Sequence, residues 1–180
     1  TPIVQQYLPA FSMKYPSVHF EIYEGLMTNV VTQLINGSAE LGIANIQMVD
    51  IDKFDILLTQ EEHLYAIFRR DVFWTDREHD TITWEDIKKC PLSLSGGSVR
   101  MIMQSSLTDM EQLNAVAITT TKSSAIEWAS SGRTVSLVPM DAKELINHRK
   151  MARIKLPEFS GDFKKAFITL KGHALSPVAQ

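Results

Sequence analysis

The sequence predicts an α/β protein in which a strand-helix-strand order occurs twice. Helical stripes of apolar residues alternate with short strands, which favours crossover helices and parallel strands. The same alternation begins again near Ile82, so the 180 residues predict two small lobes sharing one chain. The composition, 44% hydrophobic and 22% charged, is that of a globular protein with a core and disfavours disorder and coiled coil.

The first half contains two helical stripes and several short strands. Ile3, Tyr7 and Phe11 recur at a spacing of four and predict a helix, but Pro9 would remove a hydrogen bond within it. The regular part of this helix is therefore expected to begin near Gln5. The predicted elements of this half are a helix within 1–15, a strand at 18–22, a helix at 28–35, a strand at 41–44, and strands around 57–58 and 64–68, followed by a loop at 69–81.

The second half repeats this order, and its turns are marked more clearly by glycine, serine and proline. A Ser/Gly turn at 95–98 separates a buried strand from a helix, and Pro139 is expected to close a later strand. The predicted elements are a helix at 84–87, a strand at 92–94, a helix up to about 107, a strand at 116–118, a helix at 123–131, a strand at 135–138, a helix at 142–148, and strands at 154–156 and 163–170.

Charge and hydropathy exclude several classes of protein. The formal net charge of −3, from 18 basic and 21 acidic residues, gives no overall basic field for nucleic acid. No apolar run approaches the roughly 18 residues of a membrane span. The first residues lack the charged and apolar regions of a signal peptide, and with a single cysteine this favours a cytoplasmic address.

Enzymatic motifs are missing from the sequence. There is no zinc spacing, no Walker phosphate loop, no Gly-x-Gly-x-x-Gly after a strand and no Gly-x-Ser-x-Gly elbow, so no metal and no cofactor are expected. Cys90 stands before Pro91 at the start of a buried strand, where a small structural hydrophobe is expected rather than a nucleophile. The acidic pairs at 61–62 and 50–52 are interpreted as solvated charge.

Hydroxyl and glycine residues fall repeatedly between a predicted strand and the following helix. In open parallel sheets this edge binds ligands, and helix N-termini there offer unpaired N–H groups and the positive end of the dipole, which could hold a small carboxylate or other anion. Helix capping uses the same residue types and is the structural alternative. The positions are Thr1, Thr28, the run Ser95, Gly96, Gly97 and Ser98, and Thr119 to Thr121.

Longer runs of sequence resemble the effector-binding domain of LysR-type transcription regulators. Glu40 stands where that family commonly has aspartate, and Arg133-Thr134 stands where a second glycine is usual. The runs that carry the resemblance are Leu8-Pro9-Ala10-Phe11, Lys14-Tyr15-Pro16-Ser17-Val18, Glu24-Gly25, the segment from Leu34 to Ile43, and the segment from Ile126 to Pro139.

The resemblance implies a fold of two Rossmann-like lobes with a central cleft, similar to type II periplasmic binding proteins. It places lobe I at 1–66 plus 157–180 and lobe II at 67–156, with a small-molecule effector bound between them. Carried over from relatives, the ligand-binding positions are Thr1, Met27 and Thr28, Ser95, Gly96, Gly97 and Ser98, and Thr121.

The resemblance also implies partners. The family's domains form homodimers or tetramers, here through the segments around 5–15 and 123–131, and they act on DNA through an N-terminal winged helix-turn-helix that this chain does not contain. No covalent chemistry is expected. The rival interpretations are an extracytoplasmic solute-binding protein of a transporter, which shares the fold, and an enzyme on the same scaffold, which needs an acid, base or nucleophile in the cleft.

Overall fold

A computed structural model describes residues 2–74, 82–105, 107–140, 150–159 and 163–180. The chain forms two compact units. One consists of Thr1–Glu61 and Lys164–Gln180, and the other of Glu62–Phe163. From the sequence, lobe boundaries are expected at 66/67 and 156/157, which differ from these by five and seven residues.

Helices and strands alternate along most of the described chain. In chain order they are α1 (Pro2–Lys14), α2 (Met27–Ile35), β1 (Gly42–Asn45), β2 (Phe54–Glu61), β3 (His63–Arg69), α3 (Trp84–Lys88), β4 (Leu92–Ser95), α4 (Gly96–Ser105), β5 (Ala115–Thr119), α5 (Lys122–Ser130), β6 (Val135–Met140), β7 (Met151–Lys155) and β8 (Lys164–Leu170).

The first unit contains a three-stranded sheet in the order β1-β8-β2. Both pairings of β8 are antiparallel, so the parallel sheet expected for this half is wrong. The helix α2 covers the sheet with Leu34, which packs in one buried cluster with Phe54 and Ile168. The sheet depends on β8, which joins it from the far end of the sequence.

Two further expectations for the first half are also wrong. Residues 18–24 belong to no strand, and Phe20 and Ile22 are exposed. Alternation of apolar and polar residues does not by itself supply the hydrogen-bonding partner that a strand needs. The helix α1 begins at Pro2 and not near Gln5, and it contains Pro9. Pro2 is well placed in the first turn, where a missing N–H has no acceptor to lose.

The second unit contains a five-stranded sheet in the order β5-β4-β6-β3-β7. The strand β4 runs parallel to both β5 and β6, which confirms the β-α-β-α-β order expected for this half. The strand β3 is antiparallel to β6 and β7. The two crossover helices lie on opposite faces of the sheet: α4 packs on the face that contains Leu64 and Ala66, and α5 packs on the face that contains Tyr65 and Ile67.

Pro139 lies inside β6 and does not close it. The parallel pairing of β6 with β4 ends at Leu137, whereas Pro139 is in register with Leu64 of β3. Near Pro139 the strand therefore has a neighbour on one side only, and a residue without an N–H is tolerated there.

Some expectations fall outside the described part of the chain. The segment 142–148, where a helix is expected, lies there, as do residues 75–81 of the expected loop and Thr1. Among the helices that the structure does describe, none combines the length and apolar character needed to cross a bilayer.

Candidate functional site

Two helices begin side by side at the carboxyl ends of two parallel strands in the second unit. The parallel strands β4 and β5 end in register, with Ser95 beside Thr119, and α4 and α5 begin directly after these ends. The Oγ1 of Thr119 lies 3.3 Å from the carbonyl oxygen of Leu94, which brings the two strand ends into contact. The sequence-predicted positions at 95–98 and at 121 are thus neighbours in space.

The turn that begins α4 is closed by two serines. The Ser95 Oγ accepts from the N–H of Ser98 at 3.2 Å, and the Ser98 Oγ accepts from the N–H of Ser95 at 2.7 Å. The Ser98 hydroxyl also donates to the Ser95 carbonyl oxygen at 2.7 Å. Ser98 is completely buried and Ser95 nearly so. Both side chains therefore cap the helix, and the loop presents the backbone of Gly96 and Gly97.

The two glycines of this turn differ in their surroundings. A Cβ atom on Gly97 would lie 2.7 Å from Cγ of Pro139, whereas on Gly96 it would meet only the carbonyl oxygen of Thr119, at 4.0 Å. Glycine at position 97 is needed because the helix start approaches β6 so closely. Position 96 is exposed and has open space beside it.

The start of α5 is capped by an exposed threonine. The Thr121 Oγ1 accepts from the N–H of Ser124 at 3.2 Å, and its hydroxyl contacts the Ser124 Oγ at 3.0 Å. The hydroxyl of Thr119 lies 2.8 Å from the carbonyl oxygen of Thr121 and donates to it. The loop is therefore held by hydrogen bonds from both sides while Thr121 itself faces solvent.

The first unit contributes the start of α2. Its N-cap residue is Leu26, which makes no side-chain cap hydrogen bond. Met27 is half-buried and packs against the core of this unit, and Thr28 is exposed. A hollow of about 340 Å³ lies between residues 22–25 and the α2 side chains Asn29, Val30 and Gln33.

The structure thus places the proposed positions in two groups. Ser95 to Ser98 and Thr121 lie together in the second unit, and Met27 and Thr28 lie together in the first. Pro139 completes the environment of the α4 start, and the sequence analysis missed this role. No signal in the sequence could have revealed it, because Pro139 and Gly97 come together only through the packing of β6 beside β4.

Metal-binding groups are not gathered in the described ranges. No cluster of three or more His, Cys, Asp or Glu residues that could hold a metal ion occurs among them. Cys90 is buried, and its thiol donates to the carbonyl oxygen of Asp86 at 3.4 Å. Burial, together with the negative charge of Asp86, raises the pKa of the Cys90 thiol, so the nucleophilic thiolate is disfavoured.

Two α/β units, one of them with adjacent helix N-termini at the carboxyl ends of parallel strands, define a ligand-binding type of domain. The chain belongs to the LysR substrate binding domain family, whose sequence profile matches residues 1–180. The fold is that of these domains, which resembles type II periplasmic binding proteins. No curated protein matches the sequence at a significant level.

Solved structures of LysR family regulators share the fold. HinK of Pseudomonas aeruginosa is 15% identical, with a TM-score of 0.68 over 98% of this chain and 61% of its own. The effector binding domain of QuiR, in complex with shikimate, is 15% identical, with a TM-score of 0.72 over 98% of this chain and 84% of its own. Full-length CbnR in complex with its target DNA is 15% identical, with a TM-score of 0.68 over 94% of this chain and 59% of its own.

The chain spans only part of the full-length regulators that it matches, about three fifths of HinK and of CbnR. The activity and partners of the whole regulator are therefore matters for proposal.

Proposed function

We propose that this chain senses a small-molecule effector for a LysR-type transcription regulator and transmits its binding to DNA-binding heads. The observation that carries the proposal is the family match over the whole chain, combined with the adjacent starts of α4 and α5 at one edge of the sheet. The QuiR domain with shikimate shows that a domain of this fold takes such a ligand.

The arrangement of the helix starts favours an anionic effector such as a carboxylate. The side chains of Ser95 and Ser98 are engaged with each other, and helix geometry leaves the first-turn N–H groups at Gly96 and Gly97 without carbonyl partners. These donors and the helix dipole favour a negative group. Thr121 adds an exposed hydroxyl, and the start of α2 at Met27 and Thr28 has no side-chain cap.

The effector is proposed to bind between lobe I, with Thr1, Met27 and Thr28, and lobe II, with the 95–98 and 121 loops. An effector that binds one arrangement of the lobes more tightly than another shifts the population by no more than its difference in affinity. Binding and release complete this mechanism, and no covalent step is needed.

Dimerisation is proposed to transmit the change in lobe arrangement to the rest of the regulator. The segments around 5–15 and 123–131 supply the contacts, and exposed apolar side chains near the second segment support this. Ile118, on the edge strand β5, is 62% exposed, and Trp128 of α5 is 41% exposed. DNA is contacted through an N-terminal winged helix-turn-helix, in the cytoplasm.

A ligand screen by thermal shift tests the proposal. Small carboxylates, amino acids and sugar phosphates are added to the purified chain, because a ligand at 100 times its dissociation constant stabilises the fold by about 2.7 kcal/mol. A hit should lose its effect in Gly96→Leu, which fills the open side of the α4 turn, and keep it in Met103→Leu, an exposed position further along the helix.

Three outcomes would contradict the proposal. If chromatography shows that the protein consumes the compound, the protein is an enzyme. Full binding by Gly96→Leu would place the site elsewhere. A chain that binds the hit but stays monomeric at all concentrations would favour the solute-binding protein of a transporter.

A further inference from the structure

Glu62 lies where the chain passes from the first unit to the second. Glu61 ends β2 in the first unit, and Glu62 is the first residue of the second. The chain returns to the first unit after Phe163. The N–H of Glu62 donates to the carbonyl oxygen of Phe163 at 2.8 Å. Both passages between the units are thus joined by a hydrogen bond at Glu62.

The carboxylate of Glu62 is buried and pairs with Lys122, so its interpretation from the sequence as solvated charge is wrong. The Lys122 Nζ lies 3.7 Å from Oε1 of Glu62, and the two side chains are only 16% and 11% exposed. A pair so shielded from water is screened less by salt than an ion pair at the surface.

Lys122 stands at an unusual place for a positive charge. It is the first residue of α5, directly after the N-cap Thr121, and the first turn contains no acidic residue. The positive end of a helix dipole disfavours a cation there. Glu62 supplies the compensating negative charge from outside the helix. Removing either partner would leave the other as a poorly hydrated charge with less compensation.

We propose that the Lys122–Glu62 ion pair couples the Thr121 loop to the passage between the units. The inference rests on the proposed function, because it makes this pair the route by which effector binding at the Thr121 loop reaches the passage between the units. The coupling acts equally in both directions, as linkage requires.

Hydrogen exchange of the Glu62 amide tests the coupling without any effector. Thr121→Val removes the cap of α5, and it should speed exchange of the Glu62 N–H by at least about twofold. The same substitution made in Lys122→Met, or in Lys122→Gln if the first variant folds poorly, should leave exchange at Glu62 unchanged relative to that background.

Thr83→Val is the matched control. Thr83 caps α3 in the same unit with an equivalent bond to the N–H of Asp86, so it reports the effect of losing a cap without the link to Lys122. Equal acceleration by Thr83→Val, no acceleration by Thr121→Val, or acceleration that persists without Lys122 would each overturn the coupling. None of these results depends on the ligand screen, so the proposed function succeeds or fails separately.

Discussion

The hydroxyl oxygens of Ser95 and Ser98 lie 3.1 Å apart and face each other across the first turn of α4. Two residues that the sequence analysis offered as ligand contacts are thus bonded to each other and to the backbone of the turn. If the proposed effector binds at this loop, its contacts come from the backbone of Gly96 and Gly97 and from the neighbouring Thr121.

Replacing Ser98 with alanine should destabilise the second unit. The change leaves the N–H and the carbonyl oxygen of Ser95 without their present partner in a buried turn, which costs about 1–3 kcal/mol. Urea unfolding measures the loss. Ser131→Ala is the control. Its exposed hydroxyl donates to the carbonyl oxygen of Trp128 and accepts from the N–H of Arg133, and because water can replace both partners its loss should change stability by less than about 0.5 kcal/mol.

Alanine should be tolerated at Gly96 and not at Gly97. The new methyl group at position 97 would lie 2.7 Å from Cγ of Pro139, and overpacking of this kind costs about 1–3 kcal/mol. At position 96 the nearest heavy atom is 4.0 Å away, so Gly96→Ala should be neutral or slightly stabilising. Equal urea midpoints for the two variants would show that α4 does not approach Pro139 as described.

Cys90 should resist thiol reagents in the folded protein. Its burial and its raised pKa both suppress the thiolate at pH 7. An aromatic disulfide reagent should react only after urea is added, and Ser131→Cys should provide an exposed thiol that reacts at once. The Ser131→Cys control is made in a Cys90→Ala background, so that it contains only the exposed thiol. Rapid labelling of Cys90 in the native parent chain would reopen its interpretation as a nucleophile.

The carboxylate of Glu40 should hold the final residues against the first unit. It accepts from the N–H of Ser176 at 2.6 Å and from the Ser176 hydroxyl at 3.0 Å. Glu40→Ala should therefore speed hydrogen exchange of the Ser176 amide. Glu111→Ala, an exposed change in the second unit, should leave that amide unaffected, and similar rates in the two variants would argue against this anchor.

Trp128→Lys should weaken self-association. If the segment around 123–131 forms the proposed dimer interface, a charge in place of the exposed indole would be buried without a partner, and sedimentation velocity should show a shift toward monomer. Met103→Lys introduces the same charge at an exposed position of α4 and should not change the distribution. Monomers in both variants and in the parent chain would refute the dimer.

Local pattern was enough to predict most of the second unit. The strands and helices from Leu92 to Val138 follow one another with short connections, so the parallel order follows from the handedness and length of each crossover. The first unit was harder because β1 and β2 both pair with β8, more than 100 residues later in the chain, and periodicity carries no information on such distant partners.

The positions of the two helix starts were predicted, but the orientation of each hydroxyl was not. The residue types at 95–98 and 121 correctly indicated two helix starts, since serine and threonine favour caps. Whether a hydroxyl faces inward, as at Ser98, or outward, as at Thr121, depends on how closely each helix approaches its neighbours. That distance follows from three-dimensional packing, as the contact between Gly97 and Pro139 shows.

The central place of β8 in the first unit also bears on the order of folding during synthesis. β1 and β2 leave the ribosome first but have no sheet to join until residues 164–170 emerge. At 5–20 residues per second, the delay is on the order of 5–20 s. This delay is the time in which the second unit, continuous from Glu62 to Phe163, is itself synthesised. The nascent chain therefore carries two unpaired strands for as long as the second unit is being made, and in that interval it exposes backbone hydrogen-bonding groups that β8 covers in the folded protein.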